Sequence, residues 1–318
     1  MNLPADFISN IQNVLQEDGR TFLDALPDLI TESSAHWGLT DVQPVSNLSY
    51  NFVAFANRGD HQVVLKIGLP NGESKSEMAA LHLFNGEGAC KLLDYNEERY
   101  WMLLERLTPG VMLSTLEDDE QATHIAAEVM QKIWRDIPLQ ADNKLSDTQQ
   151  AVELQSRFIK LSDWFDGLKR LRARFNGRTG PFDKKLVERV ERSVGDFFIE
   201  NHKPVLMHGD FHHFNILSSE RGWLVIDAKG VIGPAGYEVG PFLINPWGDM
   251  LHGTRQKHMT ERRIDILHEH LGFERERIRE WGLAHAVLSA WWDIEDNTGR
   301  GEYALDFAAM LADLPLHS

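Results

Sequence analysis

The chain has 318 residues, which suits two lobes and is too short for three compact cores. Its 48 acidic and 32 basic side chains give a formal charge of -16, which repels phosphate backbones and anionic membranes and argues against nucleic-acid and membrane partners. With 42% hydrophobic and 25% charged residues the chain is expected to fold throughout, and its negative balance suits a cationic acceptor as well as plain solubility.

In chain order, Met1 to Asn10 carry Asp6 and no basic cluster ahead of an apolar run, and no stretch of ~20 apolar residues follows, so neither an export signal nor a membrane span is expected. Cys90 is the only cysteine, which excludes an intramolecular disulfide and a thiolate zinc cage; the expected location is cytoplasmic. A helical N-terminal segment leads to two β-rich runs, Tyr50 to Ala56 and His61 to Ile67, separated by the turn signal Asn57-Arg58-Gly59-Asp60. After the Pro70-Asn71-Gly72 break, Glu77 to Phe84 reads as helix and Tyr100 to Leu104 as a short buried strand.

Beyond about Arg106 the pattern turns helical. The apolar positions between Ala122 and Trp134 keep the i, i+3, i+4 rhythm of one helix face. The series from Leu154 through Phe158, Leu161, Phe165, Leu168 and Leu171 to Phe175 marks a second helix, and Leu186, Val190, Val194 and Phe197 a third, with Gly177 to Pro181 breaking the chain between them. Pro204 to Met207 and Trp223 to Ile226 are short apolar runs around a polar loop, and helical periodicity resumes from Trp281 to Trp291. The expected architecture is therefore α+β and bilobal: a small sheet lobe over 1–106, and a larger, mainly helical lobe over 107–318 with one hairpin-like insert.

The densest polar cluster, His208-Gly209-Asp210-Phe211-His212-His213-Phe214-Asn215, lies between the two short apolar runs. Asp227 ends the run Trp223-Leu224-Val225-Ile226, so two groups able to bind metal, Asn215 and Asp227, flank one hairpin. Magnesium favours hard oxygen ligands and keeps several waters, so one carboxylate, one amide oxygen and nucleotide phosphates make a sensible shell. Asp210 is then free to orient or accept a hydroxyl proton. Lys66 stands inside the apolar strand Val63-Val64-Leu65-Lys66-Ile67, where an ammonium needs a partner unless it snorkels to solvent. Glu77 on the next helix is the natural candidate, with Glu73 close by.

Other residues support blander readings. His212 and His213 lack the i, i+4 spacing of helical zinc ligands. His208 reads as a residue ordering the loop, and Lys229 as either a surface charge or a neutraliser of phosphate. Trp291, Asp293, Glu295 and Asp296 either end a packed helix in a solvated acidic tip or wall a site for a polycation.

The ordered set Lys66, Glu77, His208-x-Asp210-x4-Asn215 and Ile226-Asp227 resembles the aminoglycoside phosphotransferase and choline kinase branch of the protein-kinase-like fold. The fuller stretches His208 to Leu217, Ile226 to Gly233, Tyr237-Glu238-Val239 and Ala290 to Asp296 are similar to the streptomycin 6-kinase and hydroxyurea phosphotransferase subgroup. That resemblance spans most of the chain from about Leu48 onward. It implies an ATP- and magnesium-dependent transfer to a hydroxyl of an aminoglycoside-type antibiotic, with Asp210 as catalytic base, Asn215 and Asp227 on magnesium, and Lys66 with Glu77 on phosphate. It also implies that the hinge near Glu105 to Leu107 meets adenine through its backbone, and that the loop Ser46 to Asn51, including Ser49, covers the phosphates. That loop contains no glycine, unlike the glycine-rich loop of protein kinases. The rival functions are a kinase of the same fold acting on another small metabolite and a catalytically silent nucleotide-binding module.

Overall fold

Alternating burial organises the first sheet. In Phe52–Arg58 (β2), Phe52, Ala54 and Ala56 are buried while the residues between them face outward. It pairs antiparallel with His61–Ile67 (β3), from Phe52 opposite Ile67 to Arg58 opposite His61. Only Gly59 and Asp60 remain as the turn, with Gly59 in the left-handed region at φ 59°. The strand therefore starts two residues later than expected and runs two residues further, because Asn57 and Arg58 join the ladder instead of the turn.

The structure, a computed structural model, describes residues 3–137, 153–199, 203–246, 253–299 and 301–315. Leu39–Pro44 (β1), Leu92–Asn96 (β4) and Trp101–Glu105 (β5) complete a five-stranded antiparallel sheet in the order β1-β2-β3-β5-β4. Ala5–Trp37 (α1) packs Phe7, Ile11 and Leu26 with Phe52, Leu65 and Leu103 in one apolar cluster. A Cβ added to Gly19 would lie 2.5 Å from the Ile11 carbonyl. A straight helix would hold residues so spaced roughly 12 Å apart, so α1 bends sharply here. Gly72–Phe84 (α2), capped by Asn71 accepting from the Ser74 N–H at 3.0 Å, packs Met78, Leu81 and Phe84 into the second, larger cluster. Met102 and Leu104 of β5 join that cluster while Trp101 and Leu103 join the first, which is why the strand reads as an uninterrupted apolar run.

The rest is mainly helical: Asp119–Ile133 (α3), Leu161–Phe165 (α4), Gly167–Arg174 (α5), Lys184–Ile199 (α6), Val239–Ile244 (α7), Thr254–Leu271 (α8), Arg275–Glu295 (α9) and Glu302–Ala312 (α10). At the centre of α9, the wholly buried Trp281 stacks on Phe197 of α6 at 4.2 Å between ring centroids. The helix expected from Leu154 to Phe175 is interrupted. Ile159–Lys160 (β8) leaves the helical path to pair parallel with Val231–Gly233 (β12), and the chain re-enters as α4 and α5. A sheet contact more than 70 residues away overrides the local rhythm.

In place of one hairpin-like insert there are two small sheets. Pro109–Met112 (β6), Ile216–Ser219 (β10) and Gly222–Val225 (β11) form one, in the order β11-β10-β6. Arg135–Asp136 (β7), Val205–Met207 (β9), β12 and β8 form the other, in the order β7-β9-β12-β8. The polar loop 208–215 leaves β9 and enters β10, and the loop 226–230 joins β11 to β12, so both sheets present their connections to one place.

Helix α2 is fastened to that place by a backbone contact only glycine permits. The Ser76 hydroxyl donates to the Gly230 carbonyl at 2.7 Å, and a Cβ on Gly230, whose φ is 68°, would lie 2.6 Å from the Ser76 carbonyl oxygen. Gly230→Ala should therefore destabilise the protein by on the order of 2 kcal/mol, against about 1 kcal/mol for Ser76→Ala. Denaturant unfolding of both variants checks this; equal effects would mean that the hydroxyl bond, and not the close approach, fixes α2.

Candidate active site

Lys66 on β3 is 3% exposed, and its Nζ lies 2.6 Å from both carboxylate oxygens of Glu77 on α2. The same ammonium also bonds Asp227 Oδ1 at the end of β11. Burial disfavours the charged ammonium, but Asp227 and Glu77 together outweigh it and raise the pKa, so Lys66 stays protonated. Asp227 sits in the left-handed region at φ 60°, sparsely populated for a residue with a side chain. Burial alone would raise its carboxyl, yet Lys66 and Lys229 hold it below the ordinary carboxylate range. Two carboxylates thus surround the Lys66 ammonium, and Lys229 is a second cation within reach of Asp227.

The loop 208–215 is tied down mainly through its backbone. His208 accepts the Asp210 N–H at Nδ1, 3.1 Å away, so its Nε2 carries the proton and donates to the Ile226 carbonyl at 2.8 Å. Burial lowers the His208 pKa to about 4, which keeps the ring neutral in that tautomer. The Lys229 N–H donates to the His208 carbonyl at 2.8 Å, closing the link between the two loops. Burial would raise the Asp210 carboxyl, but His212 and Lys229 outweigh it and hold the group well below its usual range.

Asn215 donates an amide N–H to the Asp210 carbonyl at 3.0 Å, and its Nδ2 lies 3.3 Å from His212 Nε2. That leaves the amide oxygen available as a ligand atom. With the ionised Asp227 across the loop, this is a hard-oxygen donor pair that fits magnesium completed by phosphates and water. His213 is turned into the core, stacked on Phe242 at 4.2 Å with Arg263 beside it.

Glu238, reached by no sequence argument beyond its place in a matching stretch, lies beneath the loop with no exposure at all. Its two oxygens accept the His208 N–H at 3.0 Å and the Gly209 N–H at 2.8 Å. No cation pairs with it among the described residues, and burial pushes its carboxyl up to about 8 against the pull of those two bonds.

The expected acceptor wall is partly reassigned. Trp291 is 2% exposed and packs against Gly167 and Phe175, so it is core and cannot floor a ligand site. Its neighbour Trp292, about 100° further round α9, is half-buried and meets the Trp164 ring edge-on at 5.5 Å. Trp164 in turn comes within 3.2 Å of where a Cβ on Gly209 would sit, so this aromatic pair adjoins the loop carrying Asp210. Glu295 is held in a two-pronged pair with Arg170 at 2.5 and 2.9 Å and has little charge to spare. Asp293 and Asp296 remain, both shifted up by partial burial. Partial burial also raises the Tyr50 phenol, the field of Asp296 adds to it and Lys229 opposes it, which brings the Ser46 to Asn51 loop to the same rim.

Ser49 is exposed, and its carbonyl accepts from Asn10 of α1 at 3.4 Å. The Glu105 N–H donates to the Lys91 carbonyl at 2.9 Å, and its carboxylate accepts from the Lys91 N–H and from Arg221. Leu107 follows, buried, just beyond Arg106, which stacks on the Phe55 ring.

A sequence profile described as "Aminoglycoside/hydroxyurea antibiotic resistance kinase" matches residues 36–297. The chain is 29% identical over 314 residues to a streptomycin 6-kinase of Streptomyces glaucescens, covering 98% of this chain and 95% of that one. It is 28% identical over 310 residues to a hydroxyurea phosphotransferase of Kitasatospora aureofaciens, covering 96% and 83%. Among solved structures it is similar to an aminoglycoside phosphotransferase in ternary complex with ADP and hygromycin B, at TM-score 0.57 and 16% identity, covering 91% of this chain and 99% of that one. A choline kinase from Streptococcus pneumoniae matches at TM-score 0.57 and 12% identity, covering 90% and 97%. These likenesses identify the fold as that of the aminoglycoside and choline kinases, with a sheet-rich N-terminal part and a mainly helical remainder.

Glu238 yields a pH test. A carboxyl raised in the folded state binds its proton more tightly there than in the unfolded chain, where the value is about 4.3. Its contribution to stability is therefore full below that value and is lost as pH rises through about 8. Glu238→Gln should flatten the decline of the unfolding midpoint between about pH 5 and 8. An unchanged slope would mean that the carboxylate is ionised throughout and held only by the two N–H groups.

Proposed function

Because the chain belongs to the aminoglycoside/hydroxyurea antibiotic resistance kinases, we propose that this small-molecule kinase moves the γ-phosphoryl group of ATP to a hydroxyl of a streptomycin-like aminoglycoside. The observation that supports this most is the placement of Asp210 between two unlike neighbours. On one side stand Lys229 and Asp227, which bonds Lys66, suited to phosphate and its metal. On the other the loop adjoins, at Gly209, the Trp164–Trp292 pair, and the acidic Asp293 and Asp296 follow Trp292 in the chain, a set suited to a polycationic sugar.

On this reading Asp210 accepts a hydrogen bond from the acceptor hydroxyl and aims its oxygen at the γ-phosphorus. A carboxylate held so far below its usual pKa is a weak base, so its main contribution is orientation. The new O–P bond forms as the bond to the ADP oxygen breaks, and the hydroxyl proton passes to Asp210 late in that step. Asn215 Oδ1 and the free oxygen of Asp227 would hold magnesium, which when bound neutralises the phosphates and fixes their orientation. Lys66 grips phosphate while Glu77 keeps it in place, and Lys229, held charged by Asp227 and Glu73, meets the phosphoryl oxygens. The Leu107 backbone and the Glu105 carbonyl would serve the base, and the Ser49 loop would cover the phosphates.

A second reading, a small neutral acceptor of the hydroxyurea kind, is favoured by the neutralisation of Glu295 by Arg170. Incubating the protein with ATP and magnesium against aminoglycosides, hydroxyurea and choline, and reading which acceptor gains one phosphoryl group, separates the two. Aminoglycosides recovered unmodified while ATP is turned over onto hydroxyurea would replace the first reading with the second.

Asp210→Asn should keep its affinity for ATP and transfer at least ~100-fold more slowly in a single turnover. Loss of ATP binding with intact transfer would instead make Asp210 a structural or metal-binding group. For the rim, the double variant Asp293→Asn/Asp296→Asn should raise the acceptor KM severalfold, up to roughly tenfold, at low salt and less at high salt, leaving the KM for ATP alone. Glu295→Gln should have a smaller effect on acceptor KM, since its charge is already matched by Arg170. An acceptor KM indifferent to the double change would leave the acidic tip as solvated surface.

A further inference from the structure

The turn joining α5 to α6 lines a half-open hollow of about 670 Å³, whose wall includes none of the catalytic groups. That volume lies in the range of small-molecule sites. Its wall carries Arg172, Arg174, Arg178 and Lys184 around the ring of Phe175. Four cations around one hollow stand out in a chain whose formal charge is -16, and an acidic protein does not collect anions by its overall field.

The cations are not equivalent. Arg172 is committed to Glu191 by paired bonds of 2.8 and 2.7 Å, and Lys184 lies 3.6 Å from Glu188. The exposed guanidinium groups of Arg174 and Arg178 have no hydrogen-bond or ion-pair partner among the described residues. The turn between them is shaped by packing. Asn176, Gly177 and Gly180 all take left-handed φ values, and a Cβ on Gly180 would lie 2.5 Å from the Phe175 ring. The Arg172 carbonyl and the Gly177 N–H close the turn at 2.8 Å. Two unpaired guanidinium forks on a braced turn, with an aromatic face between them, suit an anion bearing two or more phosphates, because each fork can meet one phosphate with two parallel bonds.

We propose that this cavity is a second ligand site, separate from the nucleotide cleft, for a small molecule carrying at least two phosphate groups, gripped by Arg174 and Arg178. The site borders the acceptor rim mechanically. Phe175 packs on Trp291 at 6.5 Å, next to Trp292, and Arg170 one turn earlier on α5 holds Glu295.

The test is calorimetric titration of the full chain with inorganic tripolyphosphate in metal-free, low-salt buffer, on three proteins. The wild type should show two classes of site, one from the nucleotide cleft. Lys66→Met should weaken only the cleft class, and Arg174→Gln/Arg178→Gln should weaken only the other, at least tenfold, with the KM for ATP and the unfolding midpoint unchanged. Wild type and the double Arg variant giving superimposable isotherms would overturn the proposal. So would salt-sensitive binding of a short single-stranded oligonucleotide through these arginines with no tripolyphosphate binding.

Discussion

One buried ammonium organises the molecule. Lys66 is drawn from water by the β-sheet, and a lysine so placed must be paired or deprotonated. Its partners come from α2 and from the end of β11, 161 residues away in sequence. Removing the ammonium would leave the buried Glu77 carboxylate without its cation, a loss of about 3–5 kcal/mol for a buried pair broken on one side. The strand, the helix and the loop thus share one electrostatic condition, and the contact between Ser76 and Gly230 fixes the distance over which it must be met.

The loop 208–215 is held by a different device. Its geometry is set by backbone donors and acceptors: Glu238 beneath two N–H groups, His208 between the Asp210 N–H and the Ile226 carbonyl, and Asn215 under the Asp210 carbonyl. Side chains that order a loop through its backbone leave the remaining side chains free for chemistry. Asp210 and the Asn215 amide oxygen are the groups left over, and they are the two on which the proposed transfer relies.

Much of this was legible in the sequence where the information is local. The spacing of His208, Asp210 and Asn215, the carboxylate at the end of an apolar run, and the lysine inside another carry chemistry within a few residues of themselves. What escaped depends on contacts across the chain. Trp291 and Trp292 are adjacent, and only the packing of α9 on Gly167 decides which of them is core. Glu295 reads as free acid until Arg170, 125 residues earlier, is seen to neutralise it. The break at Ile159–Lys160 is invisible to periodicity because a parallel pairing with β12 imposes it. Glu238 gave no signal of its own, since a buried glutamate bonded to backbone looks in sequence like any surface one.

The glycine-free loop Ser46 to Asn51 fits the same economy. A glycine-rich loop covers phosphates by bringing bare backbone N–H groups close to them, which residues with side chains do less well. Here the loop is braced from outside. Asn10 reaches the Ser49 carbonyl, the Leu69 N–H donates to the Asn51 side chain at 3.3 Å, and Leu48 is buried in the cluster that holds Phe7 and Ile11. On the proposed reading, a loop that offers less backbone charge leaves more of the neutralising to fixed cations. Lys66 and Lys229 lie on either side of Asp227 and are both kept protonated by it. The position of Lys229, two residues past Asp227 and bonded through its N–H to the His208 carbonyl, then follows from the same condition as the absence of glycine. Charge that the covering loop does not bring from above is supplied from the floor, by a lysine whose backbone is part of the catalytic loop's own support.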